Sequence, residues 1–597
     1  MTKPKTDARR DKQVREAEEL LFAGPQKLGV AKGLFLGRFV ADWVMPYPAA
    51  SPEEEKRVDH AVAEVRGFLD RHLDAAAIDR AADIPADVIQ GLGRLGVLGM
   101  TAPAEVGGRG FSQLSYCRVM TELGARCAST SVFVNAHHSI GMRALLLFGT
   151  PEQKRRWLPP LVSGEQLAAF ALTETEAGSD AANVQTEAKP SADGSHYILN
   201  GEKRYITNVA IARVLTVMAR TPVPGKTETA ITAFLVTPDM PGFVVLEPRM
   251  EKLGLRGTAT ARLAFRNMAV PKENILGPLG KGLKVALTVL DFGRTTFGAC
   301  TTGAARTCIG LAVQHANQRR QFGRALGEFE LVKKKIARMA AYAYAMQAMT
   351  AVTASLIDRG LEDYMLETAM LKVFTTEALW EIINDAFQIH GGAAYFTDRP
   401  LERMLRDARI NQIAEGANEV LKSFISLVGM RAPGQQFQEL QESLRHPWGE
   451  WRKVWMLGLD RVGAVVRAPE IPVAHLQLKP HAQQLGRLIR RFNLEVNRAL
   501  LRHREEILER QYVQERLASA AMELFASACV LSRRDAELQN KRRANAALNG
   551  AAENAADLFL RGSSSRIDQA LSELHNNCDG LVTRTADSVL AGGLEAW

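Results

Sequence analysis

The chain has 597 residues, which at about 150 residues per domain points to four domains and excludes a hormone, a zinc finger or a lone binding module. Apolar residues make up 46% and charged residues 24%, ordinary values for a water-soluble globular protein, so global disorder is excluded. The formal charge of +9 arises from 75 basic residues interleaved with 66 acidic ones, the texture of solvated helix faces, and no nucleic-acid partner is expected.

The first twenty residues mix basic and acidic side chains and lack an apolar core. They therefore resemble neither a secretory signal nor a transit peptide. Residues 1–168 read as a helical domain with an N-terminal extension. VDHAVAEVRGFLDRHLD and IPADVIQGLGRLGVLGM repeat apolar residues near every 3.6 positions, and PEQKRRWLPPLVSGE opens with Pro151 in a first turn. The adjacent His137 and His138 lack metal spacing and are assigned to helix packing.

Residues 169–280 change to a β texture. ITAFLVT, GFVVLEP and ARLAFRNMAV are strand candidates between Pro and Gly turns. HYILNGEKRYIT reads as two short strands around Asn200-Gly201, the pair favoured in a type I′ hairpin. Residues 281–431 return to long alanine-rich helices, a four-helix-bundle domain with turns at Gly323, Gly360 and Gly391-Gly392. Its uncharged run Met339–Ile357 is nominally long enough to span a bilayer. Gln347, Thr350, Thr353 and Ser355 within it favour a buried bundle helix instead. Residues 432–597 are an extra helical domain, punctuated by the prolines of APEIPVAH.

Helical, then β, then helical makes an α+β protein rather than a doubly wound sheet. No G-x-G-x-x-G follows a strand, so a nicotinamide site has no support. The six cysteines stand far apart without C-x-x-C spacing, which suggests neither zinc nor disulfides and fits a reducing compartment.

Five segments offer chemistry. The small-residue loop in FALTETEAGSD (Phe170 to Asp180) allows close approach of backbone to a flat ring or an anion. In RYITN, Tyr205 and Thr207 share one strand face by period two. LDFGR places Asp291 and Arg294 at ion-pair spacing on a helix. RRQFG puts Arg319 at a helix end, and QIHGG is followed by RDARINQIAEGANE, whose Glu415 could be a helix-start carboxylate.

In this order and spacing the five segments resemble the acyl-CoA dehydrogenases, from about residue 35 to 431. The resemblance implies FAD, cradled by Phe170, Leu172, Thr173, Gly178 and Ser179, with Ser179 between cofactor and substrate. It implies that Tyr205, Ile206 and Thr207 lie on the flavin, with Tyr where many relatives carry Trp. Arg319, Gln321 and Phe322 would reach FAD held mainly by a neighbouring subunit, which implies a homodimer. Gln388, Ile389, His390, Gly391 and Gly392 would line its adenosine side, and Ala417, Asn418 and Glu419 would adjoin it, Ala417 replacing a common threonine.

Glu415 takes the position of the family's base, which removes the α-proton of an acyl-CoA thioester as the β-hydride passes to the flavin. Some relatives place the base where Gly293 stands here, so Glu415 has no rival. Ser179, Asp291, Arg294 and Gly416 would contact substrate. The implied activity is dehydrogenation of fatty acyl-CoA to trans-2-enoyl-CoA in fatty acid β-oxidation, with electrons passed to an electron-transfer flavoprotein. An oxidase using dioxygen and a respiratory-complex assembly scaffold are the alternatives.

FLGRFVADWVMPYP and the residues beyond 431 resemble the very-long-chain branch, which implies long substrates and a membrane-associated dimer. Trp448, Trp451 and Trp455 fall on one helical face beside a basic stretch, the pattern of an interfacial helix. The expected location is the bacterial cytoplasm, peripheral at the inner membrane, with a mitochondrial matrix left open.

Overall fold

A computed structural model describes residues 28–225, 227–445, 467–544 and 550–592. Trp448, Trp451 and Trp455 lie outside the described residues. Sequence order is broken early. The first helix, α1 (Val30–Phe35), belongs with Leu28–Pro48 to a unit whose other members begin at Asn418, while Ala49–Ala417 form a second compact unit.

In the larger unit, α2 (Pro52–His72) starts where its cap chemistry dictates. Ser51 Oγ accepts from the Glu54 N–H at 3.2 Å, Pro52 fills a first turn that needs no N–H, and three glutamates face the helix's positive end. Val58, Ala61, Val65 and Leu69 form its buried stripe. With α3 (Ala75–Ala81), α4 (Ala86–Arg94) and α5 (Gln113–Arg126) it encloses a core that includes Leu92, Tyr116 and Met120.

The chain then runs through α6 (Ala128–Val134), a π-helical stretch (Asn135–Gly141) and α7 (Met142–Phe148), and on to α8 (Pro151–Ser163), which a Thr150/Gln153 capping box begins. Both histidines of the π-helical stretch pack inside. His137 Nε2 donates to Leu161 O at 3.1 Å and Nδ1 accepts from Ala168 N at 3.0 Å, while the His138 ring stacks on Tyr116 at 4.2 Å.

A single sheet follows. β1 (Ala168–Ala171), β2 (Glu187–Pro190), β3 (His196–Thr207), β4 (Val214–Thr221), β5 (Ala230–Val236), β6 (Phe243–Glu247), β7 (Thr260–Pro271) and β8 (Ile275–Leu276) adopt the order β6-β7-β3-β2-β4-β5-β8, with β1 parallel to β4. Both faces are covered. Val214 and Met218 face the helices, whereas Leu215, Val217 and Ala219 face a second core with Phe234 and Phe265.

The expected hairpin at Asn200-Gly201 is overturned: β3 runs straight through both residues. Gly201 sits at a register shift with φ 150°, where a Cβ would stand 2.5 Å from Thr186 Oγ1, and Asn200 Oδ1 accepts from Asn267 N at 2.8 Å. The glycine makes room for a crossing neighbour; it does not turn the chain.

Next comes α9 (Gly282–Gln318), followed by the two-residue strands β9 (Arg320–Gln321) and β10 (Arg324–Ala325), α10 (Glu330–Asp358), α11 (Met365–His390) and α12 (Pro400–Arg409). α9 and α5 touch backbone to backbone. A Cβ on Gly124 would meet Cys300 O at 2.2 Å and one on Gly303 would meet Thr121 O at 2.1 Å. The uncharged run Met339–Ile357 is the buried part of α10, as expected, and no helix among the described residues is long and apolar enough to cross a membrane.

The smaller unit comprises α13 (Asn418–Arg445), α14 (Lys479–His503), α15 (Gln511–Ala544), α16 (Gly550–Ser572) and α17 (Asp579–Leu590) around α1. Phe35 meets Phe492 edge-on at 4.9 Å, and Asn493 Nδ2 donates to Phe35 O at 2.8 Å. The proline-punctuated approach to α14 is held by the Asp535 carboxylate, which accepts from the N–H groups of Ala474 and His475.

Candidate active site

Beyond α12 the backbone makes one 3₁₀ turn (Ile410–Gln412) and then enters left-handed conformations at Glu415 (φ 58°) and Gly416 (φ 98°). A non-glycine residue held there costs of order 1–3 kcal/mol and persists only where its surroundings enforce it. Two cations do so. Arg294 Nε, from α9, donates to Glu415 O at 3.3 Å, and Lys372 Nζ, from α11, donates to Gly416 O at 2.7 Å.

The Glu415 side chain points inward. Oε1 accepts from Asn135 Nδ2 at 3.1 Å, while Oε2 is sealed from solvent and has no hydrogen-bond partner. Gly293 gives it room: a Cβ there would stand 3.0 Å from Oε2. Burial of the carboxyl, against the pull of Arg294 and Lys372, pushes Glu415 up to about 7. A buried carboxyl with one bare oxygen, ionising near neutrality, has the properties of a general base.

Asp291 and Arg294 form the i, i+3 ion pair at 3.1 Å, and Thr368 Oγ1 donates to the same carboxylate oxygen at 2.8 Å. Burial, against Arg294, pushes Asp291 up to about 6. Both side chains are buried, and Arg294 spends its Nε on the Glu415 carbonyl.

The loop after β1 reaches the end of β3. Thr173 O accepts from Arg204 N at 3.0 Å, so the first two segments singled out in the sequence are brought together. Glu174 pins the loop from below: it accepts from Lys203 Nζ at 2.7 Å, from Thr186 Oγ1 at 2.6 Å and from Thr186 N at 3.0 Å, and Lys203 also donates to Leu172 O at 3.0 Å. Burial opposes a charge on Glu174, but Lys203 and these donors outweigh it and hold the carboxyl below its usual range. Above this anchor Gly178 and Ser179 are exposed, and a Cβ on Gly178 would meet nothing within 4 Å.

A β-bulge between Lys203 and Ile206 leaves Tyr205 at φ 60° and 57% exposed, with the Arg204 guanidinium over its ring at 4.9 Å. Ile206 is buried beneath it and Thr207 is half-buried. Asn208 ties this edge to the neighbourhood of Glu415: its Nδ2 donates to Phe133 O at 3.1 Å, two residues before Asn135.

The remaining predicted residues form a second group. Phe322 (φ 52°) and Gly323 (φ 79°) turn β9 into β10, and this tight hairpin leaves Phe322 94% exposed, with Arg319 and Gln321 exposed beside it. His390 stacks on His315 at 4.3 Å and so joins the end of α11 to the end of α9. Gln388, Gly391 and Gly392 are exposed, Ile389 is buried, and neither glycine's Cβ would meet an atom within 4 Å. Ala417 is half-buried and ends the larger unit; Asn418 is buried and Glu419 exposed at the start of α13.

Asn135, Lys203 and Lys372 hold Glu415, Glu174 and Gly416, and the sequence reading missed all three. Only a polar Asn inside an apolar helical run hinted at the first.

Open glycine loops, an upturned aromatic ring and an exposed arginine suit a large cofactor with a flat ring and an anionic linker. Residues 53–165, 169–268 and 280–428 match the N-terminal, middle and C-terminal domains of acyl-CoA dehydrogenase, and residues 476–589 match the ACAD9/ACADV C-terminal domain. The chain belongs to the acyl-CoA dehydrogenase family and is an FAD-using oxidoreductase.

It is 36% identical over 514 residues to the human mitochondrial very long-chain specific acyl-CoA dehydrogenase, covering 84% of this chain and 78% of that one. A probable acyl-CoA dehydrogenase of Mycobacterium tuberculosis is 33% identical over 598 residues, covering 96% and 90% of the two chains. The crystal structure of an acyl-CoA dehydrogenase complexed with FAD from Bacillus anthracis superposes with a TM-score of 0.75 at 28% identity, over 93% of this chain and 94% of that one.

Proposed function

We propose that this enzyme removes the α- and β-hydrogens of long-chain fatty acyl-CoA, yielding trans-2-enoyl-CoA in fatty acid β-oxidation, and passes the electrons to an electron-transfer flavoprotein. The observation that supports the substrate class is the 36% identity to a very long-chain specific acyl-CoA dehydrogenase, and a cavity of about 130 Å³, lined along one face of α9 by Phe297, Cys300, Thr301, Ala304 and Thr307, offers apolar space on the helix that carries Gly293. That face begins one turn beyond Gly293, which adjoins the Glu415 carboxylate, and from Phe297 to Thr307 it extends about 15 Å at 1.5 Å per residue. Asn411, from the 3₁₀ turn that precedes Glu415, also lines it.

In this reading Glu415 Oε2 takes the α-proton, Asn135 steadies Oε1, and the Glu415 N–H steadies the developing enolate oxygen. FAD, when bound, supplies the hydride acceptor. Thr173, Ser179, Tyr205 and Thr207 hold its ring system, and Gln388, Gly391 and Gly392 its adenosine side. Arg319, Gln321 and Phe322 on the projecting hairpin serve a second copy of the chain. Sedimentation of the FAD-loaded protein as a dimer supports that last assignment; a monomer that keeps its flavin overturns it.

Anaerobic addition of palmitoyl-CoA is expected to bleach the flavin, and electron-transfer flavoprotein, rather than dioxygen, to restore it. A flavin that no acyl-CoA bleaches sinks the reading, and rapid reoxidation by dioxygen makes the enzyme an oxidase. For chain length, Ala304→Phe fills the far half of the cavity. It is expected to lower kcat/KM for palmitoyl-CoA about tenfold or more while sparing octanoyl-CoA, since forcing bulk into a packed pocket costs roughly 1–3 kcal/mol.

A further inference from the structure

The turn that carries the base is anchored from two helices. Arg294 of α9 holds the carbonyl of Glu415 and Lys372 of α11 holds the next carbonyl, that of Gly416. Lys372 is fully buried, so its charge is held in the interior, where a burial penalty must be offset by partners such as the Gly416 carbonyl. Its hydrogen bond ends on the residue adjoining the base, whose backbone is left-handed at both positions. We propose that Lys372 is a positioning residue for Glu415: it fixes the Glu415–Gly416 turn and supplies a cation that favours the carboxylate over the acid.

The groups around Glu415 support this role. From α9 come Arg294, whose charge is shared with Asp291 at 3.1 Å, and Cys300, whose thiol burial pushes up to about 12 and so keeps neutral. From the π-helical stretch comes Asn135, which is uncharged. Arg294 and Lys372 are therefore the cations that work against burial at this carboxyl. Two anchors on successive carbonyls also leave the side chain a defined line of approach to the α-proton, and a displacement of about 1 Å at such a centre costs on the order of a hundredfold in rate.

The proposal rests on Glu415 being the base, and the test separates the two. Lys372→Met, Lys372→Gln and Lys372→Arg are prepared as full-length FAD-loaded protein. The rate of flavin reduction by palmitoyl-CoA is followed against pH, and the protonated-carboxyl infrared band of Glu415, assigned by its loss in Glu415→Gln, is titrated without substrate. Loss of the cation in Lys372→Met is expected to move the rising limb and the carboxyl titration up by about one pH unit, with reduction about fivefold slower at pH 7 and recovering at higher pH. Lys372→Gln keeps a donor for Gly416 O and shows the same shift even where the Met variant folds poorly, and Lys372→Arg restores the wild-type limb.

A carboxyl titration unmoved in both neutral variants overturns the proposal, as does a uniform fall in rate at every pH that Arg does not rescue. Should Glu415→Gln still reduce its flavin, the base assignment fails. The infrared titration then still decides whether Lys372 governs this carboxyl.

Discussion

Glu415→Gln is expected to retain its FAD and to lose about 10²–10⁴ of its rate of flavin reduction by palmitoyl-CoA, the range that general-base groups contribute, as stopped-flow absorbance near the flavin maximum would measure. The amide preserves shape and can still accept from Asn135, so binding of acyl-CoA stays near wild type and the loss falls on the chemical step. In wild type the rate climbs with pH through about 7, because only the carboxylate can take the α-proton.

Stability moves the other way over the same window. The folded protein holds the Glu415 proton more tightly than the unfolded chain, whose carboxyl ionises near 4.5, so folding loses on the order of 3 kcal/mol as pH rises from below 4.5 to above 7. The uncharged variant escapes this loss. Its Tm at pH 8 is therefore expected to exceed that of wild type, and a lower Tm would show that the buried carboxylate is not the source of strain.

Lys203→Met is the largest expected blow to the fold. It strands the Glu174 carboxylate among Thr186 and Gln185 with its cation gone, and breaking one side of a buried pair costs about 3–5 kcal/mol. Lys203 also holds Leu172 O, so the loop from Thr173 to Ser179 loses its floor and FAD dissociates more readily. Urea unfolding and flavin retention on dilution measure the two effects. The double variant Lys203→Met/Glu174→Gln removes the stranded charge and recovers part of the stability; a double variant as weak as the single would place the cost in lost packing instead.

Elements set by local chemistry were legible in the sequence. The strands of β5 and β7 announce themselves by β-branched and aromatic residues, and α8 by Thr150, Pro151 and Gln153. Glu415 was legible because a run of neighbouring residues resembles a known pattern. Asn200-Gly201 misled because a dipeptide's turn preference is weak beside twelve residues of strand paired to β7, and the glycine answers to Thr186.

Asn135, Lys203 and Lys372 were hidden for another reason. Their partners are 280, 29 and 44 residues away, so beyond the oddity of a polar Asn135 in an apolar run nothing in the neighbouring sequence marks them. A buried lysine looks like a surface lysine until the chain is folded around it.

The place of α1 has a consequence for synthesis. Phe35 and Val44 find their partners at Asn493 and Ser532, 458 and 488 residues later. At the usual 5–20 residues per second, the ribosome takes roughly 20 to 100 seconds to supply them. Until α13 and then α14 are made, the apolar side of α1, with Val30, Leu34 and Phe35, lacks native surfaces that cover it, Gly429 and Phe492 among them. A nascent chain with such a face exposed is suited to a hydrophobic-binding chaperone, and synthesis of the C-terminal unit, rather than of the domains before it, supplies the surface that ends the exposure.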